Sequence, residues 1–300
     1  MFVNGVESGF HPRTTVRNEV SVLPASTLPR LFVILIVALL LAGCESWRAD
    51  PTAGWSASQL YSEAKSALDS GNYSQAVEYY ELLEARYPFG RFAQQAQIEI
   101  PYAYYKAGEP EPALAAVDRF EQLNPRHPNL DYAYYLRGLI NFNRDQGFLS
   151  NVFPMDPTEM DQGPLMDAYE DFDRLIRTFP DSPYSADAHP RMVFIINTLA
   201  ANELRIAEFY MERTAWVAAA ERARHVLATY PNADVMPQAL SVLYHSYREL
   251  GLDDHADATL SVLELNDAEA AVAVRGGEHL SVEVERGGLW RAFERLPFFN

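Results

Sequence analysis

The chain has 300 residues, is 48% apolar, and carries 24 basic against 41 acidic side chains, a net charge of −17. That composition supplies one large or two small hydrophobic cores. The acidic balance repels phosphate backbones and excludes nucleic acid as the expected partner. One cysteine cannot form an internal disulfide, so packing alone must hold the fold.

In chain order, the first feature is the unbroken apolar run LFVILIVALLLA at 31–42. It is shorter than the roughly 20 residues a helix needs to span a bilayer. With Arg30 as its positive flank it reads as the apolar region of a signal peptide. The run ends in Leu41-Ala42-Gly43-Cys44, which matches the bacterial lipobox. Small side chains at 42 and 43 suit a peptidase site, and the Cys44 thiol is where diacylglycerol would be added. The expectation is that 1–43 is removed and that 44–57 is a lipidated linker. Residues 1–29, which precede an otherwise complete signal peptide, read as an overcalled start or a disordered extension. The covalent lipid on Cys44 is the only bound group expected, and no cofactor is. One acyl chain anchors marginally and several anchor stably. Glu45 is not the aspartate that commonly retains lipoproteins at the inner membrane, which implies an outer-membrane destination with the chain on the periplasmic face.

From Tyr61 onward the chain repeats itself. Gly71 is followed five residues later by Ala76, Gly108 by Ala113, and Gly251 by Ala256. Twelve residues after the alanine comes a proline: Ala76 to Pro88, Ala113 to Pro125, Ala168 to Pro180, Ala219 to Pro231. In the last unit Ala268 replaces it. Each position has a physical task. The glycine allows a tight reversal, the alanine lets two antiparallel helices approach, and the proline stops the second helix. The prediction is an all-α fold, an α-solenoid of five helix-turn-helix repeats resembling the tetratricopeptide repeat (TPR). A single unit cannot bury its own apolar face, so stacking is obligatory.

The alanines are spaced 37, 55, 51 and 37 residues apart. The base period is therefore 37, with insertions of 18 in repeat three and 14 in repeat four. The first reads as a loop from Gly147 to Pro164, rich in Pro, Gly and Asp. The second falls in a stretch without Gly or Pro and predicts about two extra turns in each helix of that pair. The expected divisions are repeats one to three over 58–180 and repeats four and five over 181–267, joined by a long helix, and a flexible tail over 268–300. Trp290, Phe293, Phe298 and Phe299, with Leu296, give that tail aromatic and apolar contacts, for the solenoid's own end, for a partner, or for neither.

Counting back from the alanines, the first helix of each repeat presents Tyr61, Lys65, Tyr102, Tyr105, Lys106, Tyr132, Tyr135 and Phe142 as candidates to line the inner groove. Aromatic side chains with a few cations suit an extended apolar peptide. Any one of the tyrosines has as its plain alternative a role in packing the next repeat. Pro101 should kink its helix. Enzyme chemistry finds no support: the seven histidines form no HExxH, and neither GxSxG nor a P-loop occurs.

The residues also resemble a known family. Tyr87-Pro88-Phe89-Gly90, Gln94-Gln95, Tyr102-Ala103-Tyr104-Tyr105-Lys106, Asp118-Arg119-Phe120, His127-Pro128, Arg137-Gly138-Leu139 and Ala215-Trp216-Val217-Ala218 are similar, in order, to the BamD family of the outer-membrane β-barrel assembly machine. The resemblance implies a lipid-anchored scaffold at the outer membrane. Its implied partners are a BamA-like barrel subunit, accessory Bam lipoproteins and unfolded outer-membrane proteins, with clients engaged by the N-terminal repeats. Arg213, Trp216 and Arg222, in the half that meets the barrel subunit in that family, are the partner-binding candidates. Thr214 stands where the family has glycine, which puts the turn geometry there in question. The reading from a different class is a TPR pilotin or other cell-envelope scaffold.

Overall fold

The computed structural model describes residues 50–144, 158 and 161–282. The leader, Cys44, most of the repeat-three loop and the aromatic end of the tail lie outside these residues. The chain divides into two compact units, Met1–Gly54 and Trp55–Asn300. In the first, the described residues 50–54 form a turn in which Asp50 accepts from both the backbone N–H and the hydroxyl of Thr52.

The second unit contains, among the described residues, eleven helices. They are α1 (Ala57–Asp69), α2 (Tyr73–Arg86), α3 (Arg91–Ala107), α4 (Pro110–Leu123), α5 (Leu130–Asn143), α6 (Gly163–Thr178), α7 (Ser185–Glu212), α8 (Trp216–Thr229), α9 (Met236–Glu249), α10 (Asp253–Asn266) and α11 (Ala268–Arg275). The first ten pair off in order as five repeats. The alanines that set the period, Ala76, Ala113, Ala168, Ala219 and Ala256, are all fully buried. Seven residues on, Leu83, Phe120, Leu175, Val226 and Leu263 lie on the same face and are equally withdrawn from water.

Among the described residues, the turns inside repeats one, two, four and five share one geometry. Gly71, Gly108 and Gly251 take left-handed backbone angles, with φ of 79°, 78° and 69°. The next N–H in each case reaches back to close the helix end: Asn72 to the Ala67 carbonyl, Glu109 to Tyr104, Leu252 to Tyr247. Thr214 adopts the same conformation, with φ of 57°, and Ala215 donates to the Tyr210 carbonyl. The turn is conserved in shape although the residue is not glycine. A β-branched residue pays for that conformation in strain. Turns between repeats differ: Tyr87, Asn124, Phe179 and Tyr230, each before a proline, close their helices with φ between −132° and −123°.

Two expectations about element lengths need correction. The 14 extra residues of repeat four do not divide between its helices. They all enter α7, which has 28 residues, while α8 keeps 14. Pairing explains this: α7 packs on α6 with its first half and on α8 with its second, so each half has its own apolar partner. The tail is not flexible from its start, because Ala268–Arg275 forms α11, capped by the Asp267 side chain accepting from the Ala270 N–H. Pro101 lies buried inside α3, which runs through it without a break.

Candidate functional site

The first helices α1, α3 and α5 carry the predicted groove residues, and the structure separates them into three groups. Tyr61 on α1 is half-buried, its ring 5.4 Å from Phe92 and 6.0 Å from Tyr80. Its hydroxyl donates to Glu99 Oε1 at 2.9 Å; Tyr80 donates to the other oxygen and Gln95 to the first. Burial, followed by these bonds to Glu99, pushes both tyrosines above the ordinary phenol range. Glu99 is thus the hub of the first two repeats. Counting back from the alanines did not find it, since a lone carboxylate on a helix reads first as solvated. The signal was its place on α3 opposite two tyrosines.

The second group stays accessible. Lys65 makes an i,i+4 pair with Asp69 at 3.3 Å and its side chain is 44% exposed. Tyr102 and Tyr105 are half-buried neighbours, ring centroids 6.5 Å apart. Burial pushes the Tyr105 phenol up to about 12, and its oxygen accepts from Asn143 Nδ2 at 2.9 Å. Lys106 sits 5.7 Å from the Tyr73 ring centroid, a cation held over an aromatic face. Tyr132, half-buried, packs against Tyr184 at 5.6 Å.

Tyr135 and Phe142 do not line a groove. They are 3% and 2% exposed. Tyr135 stacks on Tyr184 at 4.9 Å and donates to Asp187 Oδ2 at 2.6 Å, while Phe142 meets the edges of Phe172 and Phe194. The long α7 covers that stripe of α5. One turn of register separates a groove position from one beneath the next repeat, and spacing from an alanine does not resolve the two.

Beside them lies a buried polar assembly that sequence reasoning missed. Arg191, 1% exposed, holds Asp187 through Nε at 2.6 Å. Arg137 pairs with Asp171 at 2.8 Å, Glu121 at 3.0 Å and Asp118 at 3.1 Å, and Asn141 donates to Asp171. Burial raises Asp171 and Glu121 above the usual carboxylate range, against the opposing pull of Arg137. The task of this assembly is to fasten α4, α5 and α6. Gly138 completes it: a Cβ there would stand 2.5 Å from the Phe172 ring, so α5 and α6 meet at contact distance only because it is absent.

The partner-binding candidates sit around the α7–α8 turn. Arg213 lies 3.5 Å over the Phe209 ring, Trp216 starts α8 half-buried, and Arg222 donates to Glu203 Oε2 at 2.7 Å. Arg222 therefore already has a carboxylate within the chain, with 42% of its side chain exposed. Phe209 and Val217 add exposed apolar surface. Phe209 also borders an open concavity of about 510 Å³, lined further by Asn202, Arg205, Ile206 and Tyr210. Among the described residues, no group of three or more His, Cys, Asp or Glu is placed to hold a metal ion, and no helix is long and apolar enough to cross a membrane.

Comparison with known proteins places these features. The family model YfiO, described as an outer membrane lipoprotein, matches residues 54–263. The outer membrane protein assembly factor BamD of Neisseria meningitidis serogroup A is 41% identical over 244 residues, covering 80% of this chain and 91% of that protein. The BamD of Vibrio cholerae is 39% identical, covering 77% and 96%, and that of Xylella fastidiosa (strain Temecula1) 36% identical, covering 80% and 83%. The matched span begins just before α1 and ends within α10, taking in every repeat. The chain belongs to the YfiO family of outer membrane lipoproteins, to which the BamD assembly factors it resembles along most of their length also belong.

Proposed function

We propose that this chain is a lipid-anchored scaffold of outer-membrane protein assembly, held on the periplasmic face of the outer membrane through Cys44. It binds a BamA-like barrel subunit, accessory Bam lipoproteins and unfolded outer-membrane proteins, and it has no catalytic role. The observation that carries the reading is its similarity, across nearly the full length of the relatives, to proteins named as outer membrane protein assembly factors.

The arrangement of side chains supports a division of labour. Tyr61, Lys65, Tyr102, Tyr105, Lys106 and Tyr132 leave aromatic edges and cations accessible along the first helices of repeats one to three. Tyrosines held in place by neighbouring rings and carboxylates lose little freedom on binding, which favours contact with an extended, partly apolar client. Arg213, Trp216 and the Arg222–Glu203 pair, with exposed Phe209 and Val217, form the partner face of repeat four.

The test is depletion with a complementing variant. Loss of the chain should lower porin levels in the outer membrane. Tyr61→Ala with Tyr102→Ala should weaken crosslinking to peptides from the C-terminal strands of outer-membrane proteins by tenfold or more, at an unchanged helical circular-dichroism signal. Normal porin levels after depletion would overturn the assembly reading. Unchanged crosslinking in the folded double variant would move the client site elsewhere.

A further inference from the structure

Directly after α11, residues 278–282 stay on the solenoid. The chain turns at Gly276-Gly277, where Gly277 has φ of 93°, and residues 278–282 run back across α9 to α7. Three hydrogen bonds come from alternate residues of this segment. The His245 ring donates through Nε2 to the Glu278 carbonyl at 2.9 Å. The Leu280 N–H donates to Ser241 Oγ at 3.2 Å, and the Val282 N–H to Glu208 Oε1 at 3.1 Å. Leu280 packs on the cluster of Leu240, Leu260 and Val274, and Val282 on the cluster that includes Leu204, Ala207 and Leu243. His279, between them, brings its ring to 6.0 Å from His245 and its Nε2 to 3.7 Å from Glu208. Main-chain bonds and apolar contacts that repeat every second residue are what a β-strand offers to a neighbour.

The receiving positions are in groove register. Glu208 and His245 each lie six residues before the left-handed residue of their turn, as do Lys65 and Tyr102 in repeats one and two. Ser241 lies ten before, as does Tyr61. The segment therefore rests on the row of first helices that continues the N-terminal groove into repeats four and five.

We propose that this row, from Glu208 on α7 to Ser241 and His245 on α9, is a second peptide groove, built for an extended segment with apolar residues at alternate positions. Residues 278–282 are its resident occupant. A protein partner presenting such a segment must displace them, so the tail sets the threshold for binding at the C-terminal repeats. The inference stands on these contacts and not on the assembly reading. The segment is joined to α11 through two glycines, and a tether that short gives a local concentration of about millimolar, so docking requires only weak intrinsic affinity.

The experiment compares three forms: the full chain, a chain ending at Gly277, and the full chain with Leu280→Asp and Val282→Asp. Each is titrated to several millimolar with a labelled peptide of residues 278–286, EHLSVEVER. The truncated and released chains should bind it at least tenfold more tightly than the full chain. The binding should perturb the His245 and Ser241 resonances, and a peptide of the same composition with the alternation scrambled should bind at least tenfold more weakly. Equal affinity for all three chains would overturn the proposal. So would no binding to a truncated chain that keeps its helical spectrum, or equal binding of the scrambled peptide.

Discussion

Repeats one and two are held together differently from repeats three and four. Between α1 and α4 the interior is mostly alanine, leucine and isoleucine with Val77 and the buried Tyr80, and its main polar contacts are tyrosine hydroxyls given to carboxylates: Tyr61 and Tyr80 to Glu99, Tyr104 to Glu81. Between α4 and α7 the polar contacts centre on two buried arginines: Arg137 of α5 reaches Asp171 of α6 and Glu121 and Asp118 of α4, while Arg191 holds Asp187 within α7, whose carboxylate also accepts from Tyr135 of α5. The first arrangement follows the plain period of 37. The second sits where the period is broken by the insertions of repeats three and four. Regular stacking needs only small residues at the crossing points. An interrupted stack presents surfaces of irregular shape, and directional pairs fix their register where shape alone does not.

The largest effect should come from breaking the ionic junction. Arg191→Met leaves Asp187 buried without its guanidinium and should cost about 3–5 kcal/mol. Urea unfolding would show it as a lower midpoint, with the α5–α7 region exchanging amide hydrogens first. A loss under about 1 kcal/mol would mean that the pair is decoration and that apolar packing holds both halves alike.

The tyrosine-rich half should answer to alkali. Burial holds Tyr104 and Tyr105 at about 12, and raises Tyr61 and Tyr80 further. Unfolded tyrosines ionise near pH 10. Between about pH 10 and 12 the folded state therefore binds more protons than the unfolded one, and stability must fall as pH rises through that window. Absorbance at 295 nm should show a group of phenols titrating only with loss of helix. Independent early titration of all the tyrosines would refute the buried hydroxyl–carboxylate bonds.

The smallest effect sharpens the comparison within repeat four. Thr214→Gly relieves a β-branched residue of a left-handed conformation and should gain about 1 kcal/mol, read as a melting temperature higher by a few degrees. No gain would mean that the Thr214 side chain recovers the strain through a contact of its own.

The repeat itself was legible because its signals are local and redundant. Glycine, alanine and proline each have one physical reason to stand where they do, and five buried alanines at the expected positions are the result. The groove was half legible. Tyr61, Tyr102, Tyr105, Lys106 and Tyr132 keep accessible surface, while Tyr135 and Phe142 are covered by α7. Which stripe of α5 faces water depends on what the fourteen extra residues of repeat four do, and periodicity measures their number without saying which helix takes them.

The sequence by itself determined the helix pairs, their order and the positions of close approach, since each follows from backbone sterics within a dozen residues. It also carried the family, whose residues are spread in order along the chain. Tertiary structure alone decided that Glu99 gathers two tyrosines, that Arg137 and Arg191 lie inside, that Arg222 is bound to Glu203, and that residues 278–282 fold back over α7 and α9. Apart from Arg191, whose partner Asp187 lies one turn back on α7, each of those joins side chains or main-chain groups from separate elements. Charge pairs and strand-like docking carry no period, so their partners are fixed by the stacking of whole repeats and not by spacing along the chain.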